Sequence, residues 1–174
     1  LGHKTWPSIS DVPGDVDLAI ISVAPKAILP VIEECVMKGV KAAIVVATGF
    51  GEVDEEGKAL EQKMLAIASK SGMRIMGPNC MGLFSSVVNL NASIIDLDKG
   101  HMGLVLQSGN FGIDVNFNAK TRGLGYSCWA TIGNQIDLRF ADFVEYLGQD
   151  EATRVVMMYM EGLRVGSIDD GRSF

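Results

Sequence analysis

Short runs in which every position is apolar alternate along this chain with stretches whose apolar residues recur every three or four positions. The first pattern is that of a strand buried on both faces, the second that of an amphipathic helix. Leu18 to Ala24 (LAIISVA) predicts a buried strand. Ala27 to Lys38 follows as a helix with Ile28, Leu29, Ile32, Cys35 and Val36 on one face. Pro30 falls in its first turn, where the missing N–H costs nothing, and Gly39 is placed to end it. Ala42 to Ala47 is the next strand, and Glu55 to Ser71, striped by Leu60, Met64, Ile67 and Ala68, is the next helix, closed by Gly72. Met73 to Met76 gives a short third strand. The rhythm then lapses from Leu83 to Gly100, which reads as an irregular connection. It restarts with a strand at Met102 to Leu106, a helix from the turn Gln107 to Gly112 as far as Thr121, and a strand at Tyr126 to Thr131. A helix with Phe140, Phe143, Val144 and Leu147 on one face and a strand at Val155 to Met160 complete the pattern.

Apolar strands joined by helices predict an α/β fold with parallel sheets covered on both faces. Two consecutive parallel-sheet units are expected, residues 1–100 and 101–174. The first opens on a strand that behaves like a later strand of its kind. The second stops after Asp169 and Asp170, where another helix would begin, so both units read as partial.

Composition narrows the function classes. The chain is 48% hydrophobic with a formal net charge of −6, and its basic residues are scattered. Nucleic acid is therefore set aside, because phosphate backbones need clustered Lys and Arg. Cys35, Cys80 and Cys128 form no CxxC pair, which suggests reduced thiols. No apolar run approaches the ~20 residues that span a bilayer, and no signal peptide is visible. A cytoplasmic, soluble protein without membrane contact is expected. Neither His3 nor His101 has metal-ligand neighbours, so no metal site is expected.

The candidate chemistry sits where strands turn into helices, because ligands of open parallel sheets bind at the carboxyl ends of strands. Four such turns carry small residues or glycine: SVAPK (Ser22 to Lys26), ATGFGE (Ala47 to Glu52), GPNCMG (Gly77 to Gly82) and QSGNFG (Gln107 to Gly112). Backbone N–H groups there can approach an anion. Ser108 and Asn110 are natural helix caps, and Gly109 lets amides converge on a phosphate. Taken singly, each turn is equally readable as a tight connection. The acidic run Glu52 to Glu56 reads as a helix N-terminus, and Glu161 follows a strand at what would be a site edge. No GxGxxG or GxxxxGK[ST] occurs.

Together these turns resemble the α-type half of ADP-forming acyl-CoA synthetases, relatives of succinyl-CoA synthetase. The matching stretches run in order from VDLAIISVAPK through IVVATGFGE, GMRIMGPNCMG, GLVLQSGNFG and IGNQID to VVMMYMEG and RSF. The resemblance implies a partial Rossmann-type CoA-binding domain followed by a partial flavodoxin-like, succinyl-CoA-ligase-like domain. It implies CoA or acyl-CoA contacts at Val23, Ala24, Pro25, Lys26, Ala47, Thr48 and Gly49. Asn79 and Cys80 match a loop near the acyl and phosphate transfer site. Ser108, Gly109 and Asn110 match the helix N-terminus that receives a phosphohistidine, and Glu161 the glutamate that orients it.

That histidine is expected downstream and the glycine-rich CoA loop upstream, so this stretch alone is expected not to turn over. ATP or ADP and Mg2+ would come with an ATP-grasp domain or β-subunit, and an oligomer is expected. Met81 and Asn110 depart from the residues usual at their positions, which leaves the acid open. The alternatives are a non-catalytic or regulatory CoA-binding module and a nucleotide- or flavin-binding doubly wound domain.

Overall fold

The structure, a computed structural model, describes residues 2–162. Its elements follow the apolar rhythm closely. Strand β1 (Leu18–Ile21) leads through a single 3-10 turn (Pro25–Ala27) into helix α1 (Ile28–Lys38). Strand β2 (Ala42–Val45), helix α2 (Glu55–Ser71) and strand β3 (Arg74–Met76) follow. Gly39 and Gly72 end α1 and α2 in the left-handed region, φ 82° and 76°, each cap amide returning to the last carbonyls of its helix. The Asp54 carboxylate starts α2 by accepting from the Gly57 amide.

Strands β1, β2 and β3 form a parallel three-stranded sheet in that order. Alternation along β2 divides its side chains between two cores. Ala43 and Val45 join Ile28, Ile32, Met64 and Ala68 beneath α1 and α2, whereas Ile44 faces the other way.

The stretch expected to be irregular is ordered. Strands β4 (Gly82–Ser85) and β5 (Leu90–Ser93) make an antiparallel hairpin, with Asn89 at φ 53° in its turn. They escaped the apolar pattern because both are short and carry Ser85, Asn91 and Ser93. The hairpin joins the second sheet, built from β6 (Lys99–Leu106), helix α3 (Gly109–Thr121), β7 (Tyr126–Thr131), helix α4 (Phe140–Gln149) and β8 (Val155–Tyr159). Its order is β5-β4-β7-β6-β8. Strands β6, β7 and β8 run parallel, but β4 is antiparallel to β7, so the second sheet is mixed and not wholly parallel. The chain passes from one sheet to the other between Met76 and Gly82, ahead of the break expected near Gly100.

Leu104, Leu106, Tyr126 and Trp129 pack in one core with Ala119 of α3. Val105, Cys128 and Ala130 turn the opposite way and meet Ile44, Met76, Phe140, Phe143 and Leu147 in a core shared by both sheets and α4. Coverage of both faces fails at two edges. Ile20 of β1 is 54% exposed, and every residue of β8 is exposed despite its apolar sequence.

The loop after β7 runs beside the turn after β3. Asn134 N donates to Pro78 O (2.9 Å), Ile136 N to Gly77 O (3.2 Å) and Leu138 N to Ile75 O (3.1 Å). Gly133, at φ 54°, lies so close to the Pro78 carbonyl that a Cβ would sit 2.1 Å from it. Asp137 anchors the ladder by accepting from Ile75 N (2.7 Å) and pairing with Arg74.

Candidate functional site

The four strand-end turns touch one another in sequence. At the first, Val23 packs on the core beneath α1, Ala24 accepts from the Ala27 amide, Pro25 is half-buried and Lys26 is exposed. The second turn lies against it. Gly49 takes φ 96°, which favours glycine, and a Cβ there would stand in tight contact, 3.0 Å, with Pro25 Cγ. A cleft of about 420 Å³ opens there, bordered by Pro25, Lys26, Gly49, Asp54, Glu56 and Lys63 among others. Thr48 is exposed near it, and the Ala47 carbonyl accepts from Asn79 N (2.9 Å), which ties the second turn to the third.

Three amides of the second turn are already engaged by carboxylates of the protein itself. Gly49 N (2.6 Å) and Phe50 N (3.2 Å) donate to the Glu52 carboxylate, and Gly51 N donates to Glu61 Oε1 (3.1 Å). Glu52 therefore does not serve the start of α2, where Asp54 is the cap and Glu55 and Glu56 occupy the first turn. Burial alone would raise the Glu52 pKa. Hydrogen bonds from the Asn134 side chain, from Gly49 and from the amides of Glu52 and Phe50 outweigh it and hold the carboxyl below its usual range.

In the third turn Asn79 takes φ 59°, a left-handed conformation asparagine tolerates well. Its side chain donates to Asn134 Oδ1 (3.2 Å). Cys80 is buried, and its thiol donates to Val45 O (3.2 Å). Burial pushes that thiol up to about 12, against a small opposing hydrogen bond from Gly82. It is a packed thiol at neutral pH, not a nucleophile.

Met81 connects the third turn to the fourth. Its amide donates to Thr131 Oγ1 (2.6 Å), and its sulfur occupies the space where a side chain on Gly109 would be, 2.6 Å from an added Cβ. Ser108 caps α3, its Oγ accepting from Phe111 N (3.4 Å) and its carbonyl from Gly112 N (3.3 Å). Asn110 is no cap. It lies exposed in the first turn, where its amide and that of Gly109 form no hydrogen bond among the described residues. Gln107 closes the series by accepting on Oε1 from Glu161 N (3.0 Å) and Gly162 N (3.1 Å). Glu161 is itself exposed, and the RSF segment lies outside the described residues.

The description "CoA binding domain" matches residues 1–86, and "Succinyl-CoA ligase like flavodoxin domain" matches residues 99–174. The chain is 40% identical over 174 residues to the acetate–CoA ligase (ADP-forming) II subunit alpha of Pyrococcus furiosus, covering 99% of this chain and 37% of that protein. This chain belongs to the ADP-forming acyl-CoA synthetase family.

Acetate–CoA ligase (ADP-forming) I of Archaeoglobus fulgidus is 38% identical over all of this chain and 25% of its own length. A solved structure of dinucleotide-forming acetyl-coenzyme A synthetase 1 from Ca. Korarchaeum cryptofilum, in complex with phosphate and ADP, superposes with a TM-score of 0.92. It is 36% identical, over 99% of this chain and 37% of that one. The chain thus spans between a quarter and somewhat over a third of these relatives.

Contacts link Pro25 to Gly49, Ala47 to Asn79, and Gly109 to Met81 of the third turn, whereas Lys26, Thr48, Asn110 and Glu161 are exposed. Asn134 and Glu61 join these turns although neither lies in one of the four turns or on an apolar stripe. Asn134 donates from Nδ2 to Glu52 Oε2 (2.5 Å) and Glu61 Oε1 (2.7 Å), and Glu61 is 7% exposed. The signal was present: IGNQID is a fifth strand-end turn, with glycine and asparagine just past β7. A carboxylate buried in the middle of a helical stripe is harder to see, because Glu61 reads as polar surface until its partners are known.

Proposed function

We propose that this chain is the CoA- and phosphoryl-facing part of an acid–CoA ligase that forms ADP. The whole enzyme interconverts acyl-CoA, ADP and phosphate with acid, CoA and ATP, through an acyl phosphate and a phosphohistidine. The observation that supports this reading best is the unbroken series of contacts from the Pro25–Gly49 cleft to the Ser108-capped start of α3. CoA lies along Val23 to Lys26 and Ala47 to Gly49, where Lys26 and Lys63 face its phosphates in a cleft that Asp54 and Glu56 also border. Because the amides of residues 49–51 are held by Glu52 and Glu61, this turn meets CoA through its side chains and contours. Asn79 and Cys80 shape the transfer loop. The amides of Gly109 and Asn110, with the positive end of α3 behind them, stabilise phosphoryl charge as it is passed. Glu161 orients the histidine that carries it.

Among the described residues no group of three or more His, Cys, Asp or Glu could hold a metal ion. Mg2+ and nucleotide belong, in this reading, to an ATP-grasp domain or β-subunit, in line with the Pyrococcus furiosus relative being a subunit alpha. No described helix is long and apolar enough to cross a membrane. A cytoplasmic oligomer, its two domains meeting near the third turn, is part of this proposal.

The test is an assay of the full-length protein with ATP, CoA and a panel of short acids. Acyl-CoA formed together with ADP and phosphate supports the reading. Formation of AMP and pyrophosphate, or CoA binding without turnover of any acid, overturns it, and the second outcome favours a binding module.

A further inference from the structure

The Asn134 side chain uses every hydrogen-bonding group it has, and each partner lies on a different element. An amide side chain offers two N–H groups and a carbonyl. One N–H goes to Glu52 at the end of the second turn, the other to Glu61 on α2, and the carbonyl accepts from Asn79 in the third turn. Its own backbone is fastened to Pro78 O. The two carboxylates it holds are the same ones that hold the amides of Gly49, Phe50 and Gly51. Asn134 comes from the second sheet, whereas Glu52, Glu61 and Asn79 flank the first.

We infer that Asn134 is a positioning residue that fixes the turn at residues 47–52 against the turn at residues 77–82, and so aligns bound CoA with the site of acyl transfer. This rests on the proposed function. Only an amide can do it. A carboxylate has the same shape but no donor, and it would place a third negative charge beside Glu52 and Glu61. Alanine would leave the buried Glu61 with the Gly51 amide as its remaining partner among those named. Either change frees the second turn to shift, and a misplacement of about 1 Å costs on the order of a hundredfold in rate. The step from ATP to phosphoenzyme uses the α3 N-terminus and not the second turn, so it is spared.

The experiment uses the full-length protein and measures two things: steady-state kinetics with CoA varied, and labelling of the enzyme by γ-32P-ATP. In Asn134→Asp, kcat/KM for CoA is expected to fall about ten- to a hundredfold, while labelling stays within about twofold of the parent. In the double variant Asn134→Asp with Glu61→Gln, the net charge of the cluster is restored. Gly51 N and the side chain of residue 134 meet the same oxygen of Glu61, so the new amide serves only one of them, and part of the lost CoA-dependent rate returns. An unchanged kcat/KM in Asn134→Asp overturns the inference while leaving the functional reading intact. Equal loss of labelling and CoA-dependent rate, without rescue by Glu61→Gln, also overturns it, because Asn134 then only supports the fold. A parent protein inactive with ATP and CoA overturns the functional reading itself, and the inference falls with it.

Discussion

Two helical glycines should respond in opposite directions to the same substitution. Gly57 lies in the first turn of α2 and Gly148 near the end of α4. Helix propensity alone favours alanine over glycine by ~1 kcal/mol at an interior position, less near an end. At Gly148 a Cβ meets nothing within 4 Å, so Gly148→Ala should stabilise the protein by about 0.5 kcal/mol. At Gly57 the Cβ would stand 2.1 Å from the Phe50 carbonyl oxygen and 2.3 Å from its carbon. Both are backbone atoms of a turn whose Phe50 ring is fully buried, so no flexible side chain can yield. The start of α2 must retreat by roughly 1 Å, with overpacking strain of about 1–3 kcal/mol. Retreat also weakens the Asp54–Gly57 cap, worth about 1 kcal/mol. Against the propensity gain, the net is a loss of about 1–3 kcal/mol. In a protein of this size each kcal/mol moves Tm by about 2–4 °C. Thermal unfolding followed by circular dichroism should therefore show Gly57→Ala several degrees below the parent and Gly148→Ala at or slightly above it. A Gly57→Ala protein as stable as the parent would refute the close packing of the second turn on α2.

Asp137 should matter more than its cationic partner. Asp137→Ala leaves Ile75 N without its acceptor and costs about 1–3 kcal/mol, whereas Arg74→Ala removes a half-exposed ion pair worth under about 1 kcal/mol; urea unfolding distinguishes them. Burial, aided at Cys128 by the charge of Asp150, lifts the Cys80 and Cys128 thiols to about 12 in the folded protein. The unfolded thiols ionise near pH 8.5, so their contribution to stability is complete below that value and drains away as pH rises toward 12. Iodoacetamide at pH 8 should leave both unmodified until the protein is unfolded, and alkylation of either in the native state would contradict their burial.

Most elements were legible because their apolar stripes are unbroken: α2 and β7 fall on the residues their patterns predict. The hairpin β4–β5 was not, since β4 (GLFS) has no two-residue alternation and that of β5 (LNAS) lasts only four residues. Its pairing with β7 is a long-range contact, antiparallel like the hairpin itself, and together they make the second sheet mixed. At the site, glycine-bearing turns located the corners, and the φ of 96° at Gly49 accounts for the glycine there. What the turns do with their amides was illegible. Nothing local says that Glu52 folds back onto Gly49 and Phe50, or that Glu61, nine residues further on, is buried.

The main-chain ladder between the loop after β7 and the turn after β3 makes the joint between the two sheets double. The covalent thread through Gly77 to Met81 is one strap, and the bonds from Asn134, Ile136 and Leu138 are the other. Severing the polypeptide in that turn would not by itself release the halves, which stay laced through carbonyls on one bank and amides on the other. Two separately encoded pieces could reassemble along the same seam, so a gene broken there could still yield a joined product.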